Sequence, residues 1–308
     1  MKGRVVKGVG GSYQVSDGVC SLECSPRGRL KREDRLAVGD WVEVSEQGGE
    51  GVVERVYPRR NALVRPFLAN VDQMLLLVTS SPMADLLLID KLLILCAMQE
   101  IPVYLAINKQ DINPPGFCER ILSDYRDACG GLLELSALCG GRPEELTALL
   151  SGKLTCLAGQ SAVGKSTLLN LLAGLDVETG NLSAKIERGR HTTRHSEIFA
   201  LGENTFVADT PGFSSLELEL DPRELWKYYP DFARFDDGCR YRGCTHRKEP
   251  QCAVRDACER GELSAGRYER YTILFEQLEK SWERRLRRRS RRAGSVRSFP
   301  KRFPASMW

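Results

Sequence analysis

The sequence predicts a multidomain chain: a small antiparallel β-barrel, an α/β domain with a mostly parallel sheet, and an α-helical module stapled by a metal ion. Three observations carry this. Short alternating apolar runs separated by glycine turns occupy residues 1–67, strand–helix alternation occupies 68–220, and a tight Cys/His cluster with one amphipathic helix occupies 221–292. Residues 293–308 remain as a basic tail. At 308 residues the chain can give each domain its own core.

In the first part, Arg4-Val5-Val6, Ser12-Tyr13-Gln14-Val15, Trp41-Val42-Glu43-Val44 and Gly51-Val52-Val53-Glu54-Arg55-Val56 read as short strands. With Gly39-Asp40 ahead of a strand, they fit an oligonucleotide-binding (OB) fold, with an SH3-like barrel as the alternative. In the second part, strands are expected over 71–79, 101–107, 132–136, 154–158 and 205–208. Helices are expected over 86–99, 117–129, 144–150 and 165–175. Continuous apolar strands alternating with helices imply a parallel sheet covered on both faces. Beyond it, 222–235 reads as a short helix, and a long helix starts near Ser264.

The motifs set on this frame are specific. Gly159-Gln160-Ser161-Ala162-Val163-Gly164-Lys165-Ser166, with Thr167 following, comes after a strand and opens a helix, the context a phosphate loop requires. Its backbone N–H groups cradle phosphate at the positive end of the helix dipole. Lys165 is expected to bridge the β- and γ-phosphates, and the Ser166 hydroxyl to ligate Mg²⁺. Asn108-Lys109-Gln110-Asp111 ends an apolar strand and reads guanine. The Asp111 carboxylate accepts from the base N1–H and N2–H, donors that adenine lacks. Ser136-Ala137 suits a second base contact, through the Ala137 N–H to O6. Asp209-Thr210-Pro211-Gly212 follows another strand; Asp209 is expected to hold Mg²⁺ through water and the Gly212 N–H to meet the γ-phosphate.

In an ordinary GTPase the guanine motif follows the phosphate loop. Here it precedes it, and Asp209 comes last, so the order predicts a circularly permuted α/β P-loop GTPase domain. Gly189-Arg190-His191-Thr192-Thr193 lies where the first switch belongs. Thr192 or Thr193 is expected to complete the Mg²⁺ shell, and His191 to position the attacking water. Phe213, next to Gly212, has no hydrogen-bonding atom for that role. An ATPase or kinase is disfavoured by the guanine motif, and a non-hydrolysing RNA binder by intact Lys165, Ser166 and Asp209.

Cys239, Cys244, His246 and Cys252 offer three thiolates and an imidazole, the closed donor set of one structural Zn²⁺. Arg240, Arg242, Arg247 and Lys248 make this segment too polar to bury unaided, and Cys258 reads as a spare. Tyr268, Tyr271, Phe275, Leu278, Trp282 and Leu286 repeat at helical spacing as an apolar face for the metal module. From Lys280 to Arg302 eleven Lys/Arg stand against one acidic residue, a run that suits a polyanion such as RNA. Net charge is only +4. Eleven cysteines, an odd number, argue against a disulfide framework. No stretch approaches the roughly 18 apolar residues of a membrane span, and Met1-Lys2-Gly3-Arg4 does not open a signal peptide. A cytoplasmic monomer, with no membrane partner, is expected.

Together these residues resemble the ribosome small-subunit-dependent GTPase A family (RsgA, also YjeQ or YloQ). The likeness covers nearly the whole chain, including Val9-Gly10-Gly11, Arg65-Pro66 and Ala69-Asn70-Val71-Asp72-Gln73. Arg194 departs from a third threonine common there, and the tail matches no family motif. The resemblance implies an OB domain, a permuted G domain and a zinc domain. It also implies action in late maturation of the bacterial small (30S) subunit on 16S rRNA near the decoding region, weak GTP hydrolysis stimulated by that subunit, and a catalytic histidine at His191.

Overall fold

A computed structural model gives the fold and describes residues 1–28, 36–47, 50–64, 67–139, 144–173, 197–209 and 216–295. The chain divides into two compact units, Met1–Leu216 and Glu217–Trp308.

The first unit opens with the barrel. Strands β1 (Lys2–Val9), β2 (Ser12–Ser16), β3 (Ser21–Pro26), β4 (Trp41–Gln47) and β5 (Glu50–Val56) close in the order β1-β2-β3-β5-β4, with β4 pairing back to β1. β3 and β5 run parallel, and every other pair is antiparallel. That five-stranded closure is OB-like and resolves the choice of barrel. Val5, Val15, Cys24, Val42, Val44 and Val53 fill its interior. β3 escaped the sequence reading because Ser-Leu-Glu-Cys-Ser-Pro alternates too weakly; only its Cys24 is buried. A short ribbon, β6 (Ala62–Val64) with β7 (Phe67–Ala69), leads out of the barrel, and its Leu63 and Leu68 join the core of the adjoining sheet.

That sheet has six strands in the order β10-β9-β8-β11-β13-β12. They are β8 (Gln73–Val78), β9 (Val103–Ile107), β10 (Gly131–Glu134), β11 (Leu154–Ala158), β12 (Glu197–Gly202) and β13 (Thr205–Asp209). All neighbours are parallel except β12 with β13. β8 and β11 are buried along their whole length, as central strands covered on both faces must be. Helices α1 (Leu86–Ala97), α2 (Phe117–Tyr125), α3 (Glu144–Leu150) and α4 (Lys165–Leu172) supply the cover. One cluster packs α1 and α2 on one face, and the other packs Leu146 and Leu150 of α3 with Leu168, Leu169 and Leu172 of α4. α1 stops two residues short of the expected end, where Glu100 turns left-handed at φ +55° and the chain folds back.

In the second unit the expected helix over 222–235 is broken. A 3-10 helix, Pro222–Tyr228, precedes α5 (Pro230–Asp236), and Tyr229 between them has φ −116° and ψ 85°. The Pro230 ring excludes its predecessor from helical conformation, which accounts for the break. α6 (Ala253–Glu259) and the long α7 (Ala265–Ser295) complete the unit. On α7, Tyr271, Leu274, Phe275 and Leu278 are buried, but Leu286 is 50% exposed, so the apolar face ends sooner than its spacing suggested. The sequence also gave no hint that Arg267 would be fully buried, pairing with buried Asp231 through Nε (3.1 Å) and Nη2 (3.0 Å). No helix among the described residues is long and apolar enough to cross a membrane.

Candidate nucleotide pocket and metal centre

Parallel strands β8, β9, β11 and β13 end on the same edge of the sheet, so the loops leaving them meet there. The loop from β11 to α4 turns on two glycines. Gly159 has φ +134°, and a Cβ there would lie 2.5 Å from the Leu77 carbonyl oxygen. Gly164 has φ +100°, and a Cβ there would lie 2.3 Å from Asn108 Nδ2. Between them, Val163 is buried in the cluster under α4. Lys165 Nζ donates to the carbonyls of Gly159 (2.9 Å) and Gln160 (2.7 Å), which holds its ammonium across the mouth of the loop. The Gln160 side chain accepts from the Asp85 N–H at 2.8 Å, tying the loop to the start of α1. Ser161 and Ser166 are exposed and Thr167 is half-buried at the first turn of α4.

Asn108 is the brace of the pocket. It is buried, donates from Nδ2 to the Val163 carbonyl (2.9 Å), and accepts at Oδ1 from the Ala137 N–H (3.0 Å). One amide thereby spans the phosphate loop and the Ser136-Ala137 loop, and the Ala137 N–H expected at the base is donated here to Asn108. Lys109 adds a second strap, from Nζ to the carbonyls of Ser81 (2.8 Å) and Ala162 (2.9 Å). Asp111 is exposed and accepts from the Ser136 hydroxyl. Gln110 turns away, with Nε2 at 3.2 Å from Cys118 Sγ. Asp209, half-buried, ends β13 in register with Leu157 of β11. The structure therefore gathers 108–111, 136–137, 159–167 and Asp209 onto one edge of the sheet. His191, Thr192, Thr193 and Gly212 lie outside the described residues.

The metal cluster sits in the second unit. One donor atom from each of Cys239, Cys244, His246 and Cys252 lies within 4.8 Å of the others. His246 Nδ1 faces Cys239 Sγ (3.6 Å) and Cys252 Sγ (3.5 Å). Its Nε2 points the other way, 3.2 Å from Asp236 Oδ1 but short of full hydrogen-bond alignment. Nδ1 is thus the nitrogen that would face a metal held by this cluster, and Asp236 is placed to orient the ring. The sequence carried no signal for Asp236. Burial pushes the Cys244 and Cys252 thiols above the ordinary range and lowers the His246 pKa, so all are neutral without a cation. Three thiols, two of them buried, gathered with one imidazole nitrogen are the donor chemistry of a structural zinc, and these residues fit that ion. Cys258, on α6, is not among them.

The knuckle that presents His246 is organised by its neighbours. His246 itself adopts φ +56°. Glu249 accepts from Thr245 N (2.8 Å) and Oγ1 (2.6 Å) and from the N–H groups of Arg247 and Lys248 (3.1 Å each). Burial alone would raise this carboxyl, but those donors prevail and hold it down to about 2. From α7, Tyr268 and Tyr271 hydroxyls donate to the His246 (2.7 Å) and Thr245 (2.6 Å) carbonyls. The rings of Trp226 and Phe232 stand edge-on to the imidazole at 5.9 and 6.0 Å.

A parallel sheet in which the phosphate-loop strand comes fourth in the sheet's chain order, after the strand carrying the guanine motif, defines a circularly permuted P-loop GTPase. The RsgA GTPase profile matches residues 56–219, and the RsgA N-terminal domain profile matches 2–53. The chain belongs to the RsgA GTPase family and is a GTPase. Among relatives, a small ribosomal subunit biogenesis GTPase RsgA from Carboxydothermus hydrogenoformans is 41% identical over 285 residues, covering 90% of this chain and 98% of its own. The protein of the same description from Agathobacter rectalis is 36% identical over 296 residues, with the same coverage of 90% and 98%. The crystal structure of YjeQ from Thermotoga maritima superposes with a TM-score of 0.76 at 34% identity, covering 90% of this chain and 98% of that one. YloQ, described as a circularly permuted GTPase, gives 0.74 at 31% identity, covering 91% and 95%.

Proposed function

We propose that the chain is a GTP-driven timer on the small ribosomal subunit: it binds the subunit's 16S rRNA late in maturation and hydrolyses GTP when so bound. The observation that carries the pocket is the double brace of Asn108, which joins the phosphate loop to the base-reading loops in spite of the permuted order. In this reading Asp111 contacts guanine with Ser136 beside it, Ala137 holds Asn108 in place under the base, 159–167 and Gly212 hold the phosphates, and Ser166, Asp209 and Thr192 or Thr193 hold Mg²⁺. His191 orients the attacking water, since Phe213 has no group for it. The subunit as partner is supported by what the relatives are named for, and RNA by the basic run on and beyond α7. One zinc ion staples the second unit. Cytoplasmic location follows from that partner, and the protein acts as a monomer.

Permutation has a mechanical consequence. The chain after Asp209 does not return to the sheet but runs through 210–215 into the second unit, so a γ-phosphate contact at Gly212 pulls on that junction. Co-sedimentation with small and large subunits in GTP, GDP and a non-hydrolysable analogue tests the reading: binding to small subunits that is stronger with the analogue than with GDP is expected. Equal binding in all three states would remove the timer. Single-turnover hydrolysis by His191→Ala at saturating subunits tests the histidine, and an unchanged rate would assign the catalytic group to the subunit.

A further inference from the structure

The first strand of the barrel lies along the edge of the central sheet. On β1, Lys7 Nζ pairs with Glu197 Oε1 of β12 at 2.6 Å, both side chains being about half exposed (46% and 44%). Three residues earlier on the same strand, the buried Arg4 guanidinium stands 4.4 Å from the Trp41 ring centre and 5.6 Å from that of Phe206 on β13. It also donates to the Asn70 carbonyl at 3.0 Å. The barrel therefore grips the β12–β13 hairpin at two points, and the outer point falls beside the nucleotide edge.

Glu197 is the direct cross-strand partner of Asp209. Residues opposite each other in an antiparallel pair project from the same face, with Cβ atoms about 4.5–5.5 Å apart, and like charges there repel. Two positions further in on that face, Phe199 and Val207 pack with Leu168, Leu169 and Leu172 of α4. This is the face covered by the phosphate-loop helix. A second acidic residue thus lies directly across the strand pair from the one assigned to the nucleotide's metal, and the cation that holds its carboxylate comes from the barrel.

We propose that Lys7 is a positioning residue for GTP hydrolysis: by pairing with Glu197 it prevents this carboxylate from competing with Asp209 for the hydrated Mg²⁺. The inference rests on the assignment of Mg²⁺ to Asp209 made above. It makes the barrel part of the hydrolytic unit, because one of its side chains sets the charge next to the metal.

The test is a charge series in the full-length protein, assayed by phosphate release at saturating Mg²⁺ and by the Mg²⁺ dependence of binding a non-hydrolysable GTP analogue, which Lys7→Gln should shift and the double variant restore. Lys7→Gln should lower kcat about two- to fivefold, the range an exposed ion pair supports, with a smaller change in KM for GTP. Glu197→Gln alone should stay near wild type. The double variant Lys7→Gln/Glu197→Gln should recover the wild-type kcat, because the competing carboxylate is gone; a mere tether would not be restored by deleting its second half. Wild-type kcat in Lys7→Gln, or a double variant no faster than Lys7→Gln, would overturn the proposal. Asp209→Asn, run alongside, separates the two layers. Undiminished hydrolysis there would remove Asp209 from the metal and the proposal with it, whereas failure of the Lys7 series alone leaves the Asp209 assignment standing.

Discussion

The nucleotide pocket and the metal centre solve the same problem, bringing distant polar groups together, by opposite means. The pocket draws on 108–111, 136–137, 159–167 and Asp209, segments that meet only because the parallel strands end on one edge. Its parts are locked by protein–protein hydrogen bonds from Asn108, Lys109 and Lys165. The metal centre draws on one stretch, Cys239 to Cys252, whose thiols and imidazole nitrogen Nδ1 face one another, with Asp236 behind the ring. A pocket held by the sheet tolerates permutation of the chain, since strand order in space is what counts. A centre held by an ion tolerates no loss of that ion.

That contrast can be broken most severely at the metal. Cys244→Ser, or chelation, should release zinc and unfold the second unit, because structural zinc contributes on the order of 10 kcal/mol to modules of this kind. GTP binding by the first unit should survive. Metal analysis and thermal melting read the first effect and nucleotide titration the second; a loss of both together would deny the independence of the two sites.

Within the pocket, Lys165→Ala should remove the cation that neutralises the transferring phosphate, together with its two bonds to the loop carbonyls. Hydrolysis should fall about 10²-fold or more. Turnover at the wild-type rate would refute the phosphate-loop role. Asp111→Asn is expected to do less: GTP affinity should drop by about ten- to a hundredfold as base donors lose their acceptor, and xanthosine triphosphate should gain. Competition binding of the two nucleotides gives the answer, and unchanged affinities for both would detach this loop from the base.

The mildest change probes the support of the metal ligands. Asp236→Asn keeps the shape beside His246 Nε2 but removes the charge that orients the ring, and zinc affinity should fall about tenfold. Competition with a chromophoric chelator measures it. An unaltered affinity would show that the aromatic rings of Trp226 and Phe232 fix the imidazole without help.

Much of this molecule was legible before its fold. The strand at 154–158 and the helix at 144–150 fell where the apolar pattern put them, and Cys239, Cys244, His246 and Cys252 converge as their spacing implied. Less legible were features whose cause lies far along the chain. β3 is a strand because β2 and β5 flank it, not because of its own residues. Gln73 is buried inside an apolar strand since Leu149 and Thr155 accept its amide protons at 2.8 and 2.9 Å. Arg267 is buried because Asp231, on another helix, neutralises it.

By itself, then, the sequence marked what depends on local chemistry: most of the strands and helices of the sheet domain, the glycine-bounded loop after β11, the tetrapeptide after β9, and the four Cys/His donors that gather in the second unit. Only the tertiary structure decided what depends on pairs distant in sequence. It chose the OB-like closure over the alternative barrel, made Asn108 the brace between two loops, set Asp236 behind His246, and paired Lys7 with Glu197, the cross-strand partner of Asp209. The physical reason is that periodicity and motif spacing report on neighbours a few residues apart, whereas a hydrogen bond or ion pair is set by the packing of whole strands and helices.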